Sequence, residues 1–387
     1  MRIVTAVAPV NIATIKYWGK RDDDLILPLN DSFSATLSLE DMCAKTTVMI
    51  SPYLLENKFW LNGKEENMDN PRLSNCLKAL KDRLNKENSE EVSSWKIHIC
   101  SENNFPTAAG LASSAAGYAC LVYALASLYQ VDGDITAIAR NGSGSACRSI
   151  FGGWVRWHKG SLEDGTDSIA TQIFPTDHWP EIRVLVLVVN DSRKKYSSTL
   201  GMKQTVMTSE LLKHRTKFVV PDRIEKIIDA VHKKDFQSFA KLTMKDSNQF
   251  HAVCCDTYPP CFYMNDVSHA IIDMVHVYNE FKGQLKIAYT FDAGPNACLF
   301  IQESDLSEVL SLIRYVFPSN LNANEYYRGI ALDKDLFSKD LSLPTGITQY
   351  GLNTLRYIIH TKIGDGPRLL QDAKEHLLDS NGLPKNC

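Results

Sequence analysis

The segment from Lys96 to Tyr129 constrains this chain more than any other. Lys96 to Cys100 reads as a strand. It runs into Pro106-Thr107-Ala108-Ala109-Gly110-Leu111-Ala112-Ser113-Ser114-Ala115-Ala116-Gly117, and an Ala-rich helical run then continues to Tyr129. A strand feeding a loop of small residues that opens into a helix leaves unpaired backbone N–H donors, and the positive end of the helix dipole, at the loop. Small side chains let an anion approach those donors, while Ser113 and Ser114 add hydroxyls suited to phosphate or to Mg²⁺. The same residues also permit close helix packing, because Ala and Gly bring backbones together. The phosphate-loop pattern G-x-x-x-x-G-K-[ST] is absent from the sequence.

Around this segment, strands and helices mix without a strict βαβ rhythm, which predicts an α+β architecture. Strands are expected over Ile3 to Ile15, Asn30 to Leu39, Lys45 to Ser51, Lys58 to Asn62, Arg183 to Val189, Lys286 to Phe291 and Ala297 to Ile301. Helical spacing marks Pro71 to Leu84, Asp222 to His232, Phe236 to Phe250, Asn265 to Phe281 and Leu306 to Phe317, with Pro71 suited to a first turn. At 387 residues two domains are expected, divided at the buried run near residue 185 into 1–185 and 186–387.

A net charge of −3 offers no global basic field for nucleic acid or an anionic membrane, so any anion is bound in a local pocket. The apolar run Val184 to Val189 is far too short to span a bilayer, and Met1-Arg2-Ile3-Val4 opens no signal-peptide core; a cytoplasmic protein is expected. The ten cysteines include no C-x-x-C, and the histidines include no H-E-x-x-H, so reduced thiols are expected and no zinc site.

Four segments carry a family resemblance. Pro106-x-x-x-Gly110-Leu111-x-Ser113-Ser114-Ala115 resembles the phosphate-binding motif of the GHMP kinases. Ala8-Pro9-Val10-Asn11-Ile12-Ala13-Thr14-Ile15-Lys16-Tyr17-Trp18-Gly19-Lys20-Arg21, Asn141-Gly142-Ser143-Gly144-Ser145-Ala146-Cys147-Arg148-Ser149 and Tyr289-Thr290-Phe291-Asp292-Ala293-Gly294-Pro295-Asn296-Ala297 resemble the N-terminal signature, substrate loop and catalytic-aspartate segment of mevalonate diphosphate decarboxylases, the animal-type enzymes in particular. Met244-Lys245-Asp246-Ser247-Asn248-Gln249-Phe250-His251 extends the likeness. One departure is Asp31, where the family usually has Ser; it brings an extra carboxylate near the expected site. The stretch Asn320 to Leu341 shows no such likeness.

The resemblance implies the GHMP kinase fold: an N-terminal domain like ribosomal protein S5 domain 2, and a C-terminal ferredoxin-like α/β sandwich. It implies a homodimeric carboxy-lyase of isoprenoid and sterol biosynthesis, using ATP and Mg²⁺ to convert (R)-mevalonate 5-diphosphate to isopentenyl diphosphate, ADP, phosphate and CO₂. In this sequence the expected catalytic residues are Asp292, Arg148 and Lys16. The expected substrate-binding residues are Asn11, Tyr17, Trp18, Gly19, Lys20, Arg72, Ser143, Gly144, Ser145, Ala146, Cys147, Arg148 and Thr199. ATP is expected at Ala109, Gly110, Leu111, Ser113 and Ser114, with Mg²⁺ held by Ser114 and the nucleotide phosphates. Two readings compete: a kinase that stops after phosphoryl transfer, and an inactive paralogue that senses the ligand. Asp292-Ala293-Gly294-Pro295-Asn296 in place of a Gly-rich third motif argues against the first, and retention of Lys16, Ser113, Ser114, Arg148 and Asp292 together argues against the second.

Overall fold

The computed structural model describes residues 1–84, 92, 94–105, 113–189, 197–332, 337 and 342–385. The expected first strand is two strands in two different sheets. Pro9, with no amide proton to extend a ladder, closes Arg2–Pro9, and after Val10 the chain re-enters a ladder as Asn11–Ile15. Arg2–Pro9 lies in a six-stranded sheet in the order Arg368–Leu370, Arg2–Pro9, Cys43–Ser51, Lys96–Asn103, Lys58–Leu61, Lys64–Glu66. Asn11–Ile15 is the edge of a four-stranded sheet with Ser32–Thr36, Trp154–Trp157 and Ala170–Phe174.

The helix Ser113–Tyr129 packs on the first of these sheets. Its alanines make that approach close: Ala115, Ala116, Ala119 and Ala124 are fully buried, and the Cys120 thiol donates to Ala6 O at 3.1 Å. The packing use of the small residues is therefore realised along the helix, while the loop before it, 106–112, lies outside the described residues.

The second half is built on a five-stranded sheet ordered Ile287–Phe291, Ala297–Gln302, Ile182–Val188, Tyr357–Lys362, Tyr327–Gly329. Its first four strands occur in the chain as β-α-β-β-α-β, with Leu306–Val316 as the second helical connection, which is the ferredoxin-like order. Ile182–Val188 is buried along nearly its whole length, as its near-continuous apolar, β-branched run predicts. The expected division at 185/186 falls inside this strand, and the chain's end returns to the first sheet, where Leu377 and Leu378 pack with Met49 and Trp60. One hydrophobic cluster runs through both halves, from Ile12 and Phe33 to Phe239 and Phe300.

The segment Ser198–Thr208 is a helix capped by Ser197, whose hydroxyl accepts from Leu200 N–H. Its signal was hidden because it buries only Gly201, Met202 and Thr205 and leaves Leu200 and Met207 exposed. Residues 190–196, which include the basic run Arg193, Lys194 and Lys195, lie outside the described residues. Among the described residues no helix is long and apolar enough to cross a membrane.

Candidate active site

Where the sheets and helices converge, a cavity of about 570 Å³ opens. Lys16 reaches it from the end of Asn11–Ile15, and Asp292 from the end of Ile287–Phe291, where the chain turns through a Gly294 N–H to Asp292 O bond of 2.7 Å. The two meet: Lys16 Nζ is 2.5 Å from Asp292 Oδ1. The lysine side chain is 3% exposed and the aspartate 28%, so a nearly buried ammonium is paired with a carboxylate that still faces the cavity.

Arg148 stands on the adjoining wall, in the short 3₁₀ turn Gly144–Ile150. Its Nε donates to Asn11 Oδ1 and Ser34 Oγ at 3.2 and 3.0 Å, and its Nη1 donates to Ser32 Oγ at 2.6 Å. Burial works against its charge, and the neutral oxygen cradle orients the fork without cancelling it. Asn11 itself does not line the cavity. It supports Arg148, and its amide also donates to Ser145 O and Ser149 Oγ.

Tyr17 packs edge-on against Trp157, and a Cβ on Gly144 would come within 2.9 Å of both rings, so only glycine lets the substrate loop pass. The Tyr17 hydroxyl is buried, has no partner among the described residues, and is pushed above its ordinary titration range by burial. A buried donor on a cavity wall without a protein acceptor is suited to a ligand oxygen.

Arg72 and Thr199, distant in sequence, touch: Arg72 Nη2 donates to Thr199 Oγ1 at 2.8 Å, both on the cavity wall. Lys20 also lines it and pairs with Asp23 at 2.6 Å. Ser113, Ser114, Ser143, Gly144 and Ser145 line the same space, and Ser114 Oγ is 3.4 Å from Ser143 Oγ.

Other expected site residues serve the scaffold. Gly19 has φ of +88° and turns the chain past Leu29, while Ala146 and Cys147 are fully buried, Cys147 among Val155, Trp157 and Ala170. Trp18 forms part of the wall, yet most of its ring is core: it packs on Phe250 and Tyr263 and donates to Thr205 Oγ1 at 3.0 Å. Ala109, Gly110 and Leu111 lie outside the described residues.

Asp31 does not line the cavity. Its Oδ2 takes Arg156 Nε and Nη2 at 2.8 and 2.7 Å, and its Oδ1 takes the Lys159 N–H at 2.9 Å. The extra carboxylate is thus neutralised outside the site.

Sequence reasoning missed an apolar part of the cavity lining, Phe59, Leu61, Leu73, Ile99 and Leu121, which shares the cavity with Asn67 and Asn70. Those residues carry no motif and come from separate elements. It also missed the group behind Lys16. Asp246 is fully buried; burial opposes its charge, but Arg215 and the Lys16 N–H outweigh that and hold its carboxyl below the usual carboxylate range.

His251, one turn beyond Ser247, packs against Phe250 and Phe291. Burial first, and the Lys16 charge second, push it from 6.5 to about 3. The unfolded chain therefore binds a proton that the folded chain refuses, and stability falls as pH drops below about 6.5, by up to ~1.4 kcal/mol per pH unit. His251→Gln is expected to reduce the acid-side slope of unfolding free energy against pH by about one proton. Urea titrations between pH 4 and 7 check this; an unchanged slope contradicts it.

The comparisons agree with this geometry. Residues 8–170 match the model of the diphosphomevalonate decarboxylase-like N-terminal domain, and residues 184–370 match that of the mevalonate 5-diphosphate decarboxylase C-terminal domain. The chain is 49% identical to the diphosphomevalonate decarboxylase of Bos taurus, over 99% of this chain and 97% of that protein. It is 46% identical to that of Saccharomyces cerevisiae over 100% of both. Among solved structures, mevalonate diphosphate decarboxylase from Trypanosoma brucei superposes with a TM-score of 0.90 at 39% identity, covering 98% of this chain and all of that one. A structure of MDDEF in complex with MVAPP, AMPPCP and magnesium superposes with a TM-score of 0.74 at 29% identity, covering 96% and 100%. A cavity that joins a paired Lys16 and Asp292 to a cradled Arg148, in a chain alike over its full length, places this protein in one family: it belongs to the diphosphomevalonate decarboxylases, carboxy-lyases on the GHMP kinase fold.

Proposed function

We propose that this cavity carries out the ATP-dependent decarboxylation of (R)-mevalonate 5-diphosphate, with Asp292, Lys16 and Arg148 as the groups at the reacting atoms. The observation that supports this most is the Lys16–Asp292 pair, which brings a cation and a carboxylate from two different sheets to one point of the cavity. A tertiary hydroxyl is a poor leaving group, so C3–O is phosphorylated first. Asp292 Oδ1 faces Lys16. Its Oδ2, with no partner among the described residues, receives the C3 hydroxyl proton as that oxygen attacks the γ-phosphorus and ADP departs. Lys16 offsets charge on the transferring phosphoryl group. The C3–O bond then breaks to release phosphate. The electrons of the bond to the carboxylate carbon become the new C–C double bond, and CO₂ leaves. Arg148 orients the carboxylate; the proton held by Asp292 passes to the departing phosphate, and the carboxylate so restored stabilises the positive charge developing at C3.

Tyr17, Lys20, Arg72, Ser143, Gly144, Ser145 and Thr199 surround the substrate in this reading, with Trp18 as a wall and with Asn11, Gly19, Ala146 and Cys147 shaping the loop behind it. ATP phosphates lie at the start of Ser113–Tyr129, with Ala109, Gly110 and Leu111 in the loop before it, and the base enters the apolar part of the cavity at Phe59, Leu61 and Leu121. No group of three His, Cys, Asp or Glu side chains suited to a metal occurs among the described residues, which suits Mg²⁺ carried by the nucleotide rather than by a protein cage. Ser114 and the phosphate oxygens would hold it, and its chemistry there is to neutralise polyphosphate charge. That an ATP analogue and magnesium accompany the MDDEF structure supports the same arrangement here.

We retain a division into an N-terminal part holding the phosphate loop and a C-terminal part holding Asp292, as the two adjoining family models suggest. A cytoplasmic homodimer in isoprenoid and sterol biosynthesis completes the reading. Incubating the protein with ATP and mevalonate 5-diphosphate is expected to yield isopentenyl diphosphate, and none without ATP. A phosphorylated, undecarboxylated product as the end point would overturn the reading.

A further inference from the structure

The helix Phe236–Asp256 holds the backbone behind both members of the Lys16–Asp292 pair with two consecutive side chains. Asp246 and Ser247 are 0% and 1% exposed. Asp246 Oδ2 accepts the Lys16 N–H at 2.8 Å, and Ser247 Oγ accepts the N–H of Phe291, the residue before Asp292, at 3.0 Å. Arg215 approaches the other side of the carboxylate, bonding Oδ1 and Oδ2 at 2.8 and 2.9 Å. Its Nη2 also donates to the Lys16 carbonyl at 3.2 Å, where Asn30 Nδ2 donates too, at 3.1 Å. Arg223 Nη1 also bonds Asp246 Oδ1, at 2.9 Å, so Lys16 is gripped at its N–H and at its C=O by Asp246 and Arg215, the two fully buried members of an ion triad. Arg215 is the first residue of the π-helical turn Arg215–Val219, an irregularity that in helices often accompanies function.

Stability alone does not account for such a pair. Desolvation offsets most of the attraction between buried charges, and apolar side chains of the same volume hold a fold as well. Apolar side chains cannot bond the backbone of Lys16, which leaves its ladder just after a register slip between Ala13 and Ile15. Nor do Asp246, Ser247 and Arg215 line the cavity, so they have no direct contact to offer a ligand.

We propose that Asp246, with Arg215 behind it and Ser247 beside it, positions the reacting pair, fixing Lys16 Nζ and Asp292 against each other through the backbones of Lys16 and Phe291. This rests on Lys16 and Asp292 being the reacting groups. A small misplacement of such groups costs turnover rather than binding.

The test measures kcat and KM for both substrates in Ser247→Ala and Asp246→Asn, with kcat expressed per site titrated by a non-hydrolysable ATP analogue. Lys16→Met and Asp292→Asn serve as controls. Each positioning variant is expected to lose about 10- to 100-fold in kcat per titrated site, with both KM values within about threefold of wild type. A merely structural role would lower the thermal midpoint and the number of titrated sites and leave kcat per site unchanged, and that result overturns the proposal. So does a raised KM at wild-type kcat. Where Asp246→Asn does not fold, Ser247→Ala, which removes one hydroxyl and spares the ion pair, decides on the same criterion. Collapse of both controls with wild-type Ser247→Ala turnover overturns the positioning role alone, whereas wild-type turnover in the controls overturns the reacting pair as well.

Discussion

Asp292→Ala is expected to lower kcat by about 10³- to 10⁴-fold while leaving the dissociation constant for mevalonate 5-diphosphate within about threefold. The carboxylate is the acceptor closest to Lys16 Nζ, at 2.5 Å, and it sits at the end of a strand whose side chains are otherwise buried. In the proposed reaction the diphosphate is met by other groups of the cavity wall, among them Arg72 and Lys20, which the substitution leaves in place. Truncation also strands a lysine only 3% exposed, which costs about 3–5 kcal/mol if the ammonium stays charged and unrelaxed. Asp292→Asn separates the effects, because it keeps an oxygen for Lys16 and loses the proton acceptor. Stopped-flow or coupled ADP release with isothermal titration of the substrate checks both variants. Wild-type turnover in Asp292→Ala would remove the aspartate from the mechanism.

The second large effect is expected from Arg148→Lys, a change that keeps the charge and discards the fork. Arg148 is held by three oxygens through two of its nitrogens, and a lysine ammonium cannot reproduce that planar arrangement. Loss of aim at the substrate carboxylate is expected to lower kcat/KM by about 10²- to 10³-fold. The Ser32 and Ser34 hydroxyls and the Asn11 carbonyl lose their donor, so stability falls by about 1–3 kcal/mol. Steady-state kinetics at matched folded fraction, with denaturant unfolding for the second number, measure both. Kinetics like wild type would show that charge alone suffices at this position.

The chemistry of the site was more legible in sequence than the framework that aims it. Lys16, Arg148 and Asp292 stand in continuous motifs, so their residue types and order point to one family, and the structure brings Lys16 to Asp292 and sets Arg148 in the lining of the same cavity. Strands with near-continuous apolar, β-branched runs, such as Ile182–Val188, were legible for the same local reason. Where the reading fell short, the cause was nonlocal. The split of the first strand depends on which of two sheets accepts each piece, and hydrophobicity along Ile3 to Ile15 carries no mark of that choice.

Asp31 illustrates the opposite case. A carboxylate beside the site motif looked like a change to the pocket, but Arg156, 125 residues away, turns it outward. Asn11, Ala146 and Cys147 likewise stand in the motifs, yet they carry the loop and Arg148 rather than the cavity wall. A motif preserves what must be near the chemistry without distinguishing what touches it. Asp246 and Arg215 show the reverse, two buried side chains 31 positions apart whose joint hold on Lys16 appears only once the helix and the π-turn are packed together.

In the proposed reaction one cavity couples phosphoryl transfer to carbon–carbon cleavage. That coupling is tested most directly by supplying ATP with mevalonate 5-diphosphate labelled at the carboxyl carbon and counting ADP, phosphate and labelled CO₂ through the same turnover. Equal amounts of the three are the predicted result; ADP formed without matching labelled CO₂ would contradict it.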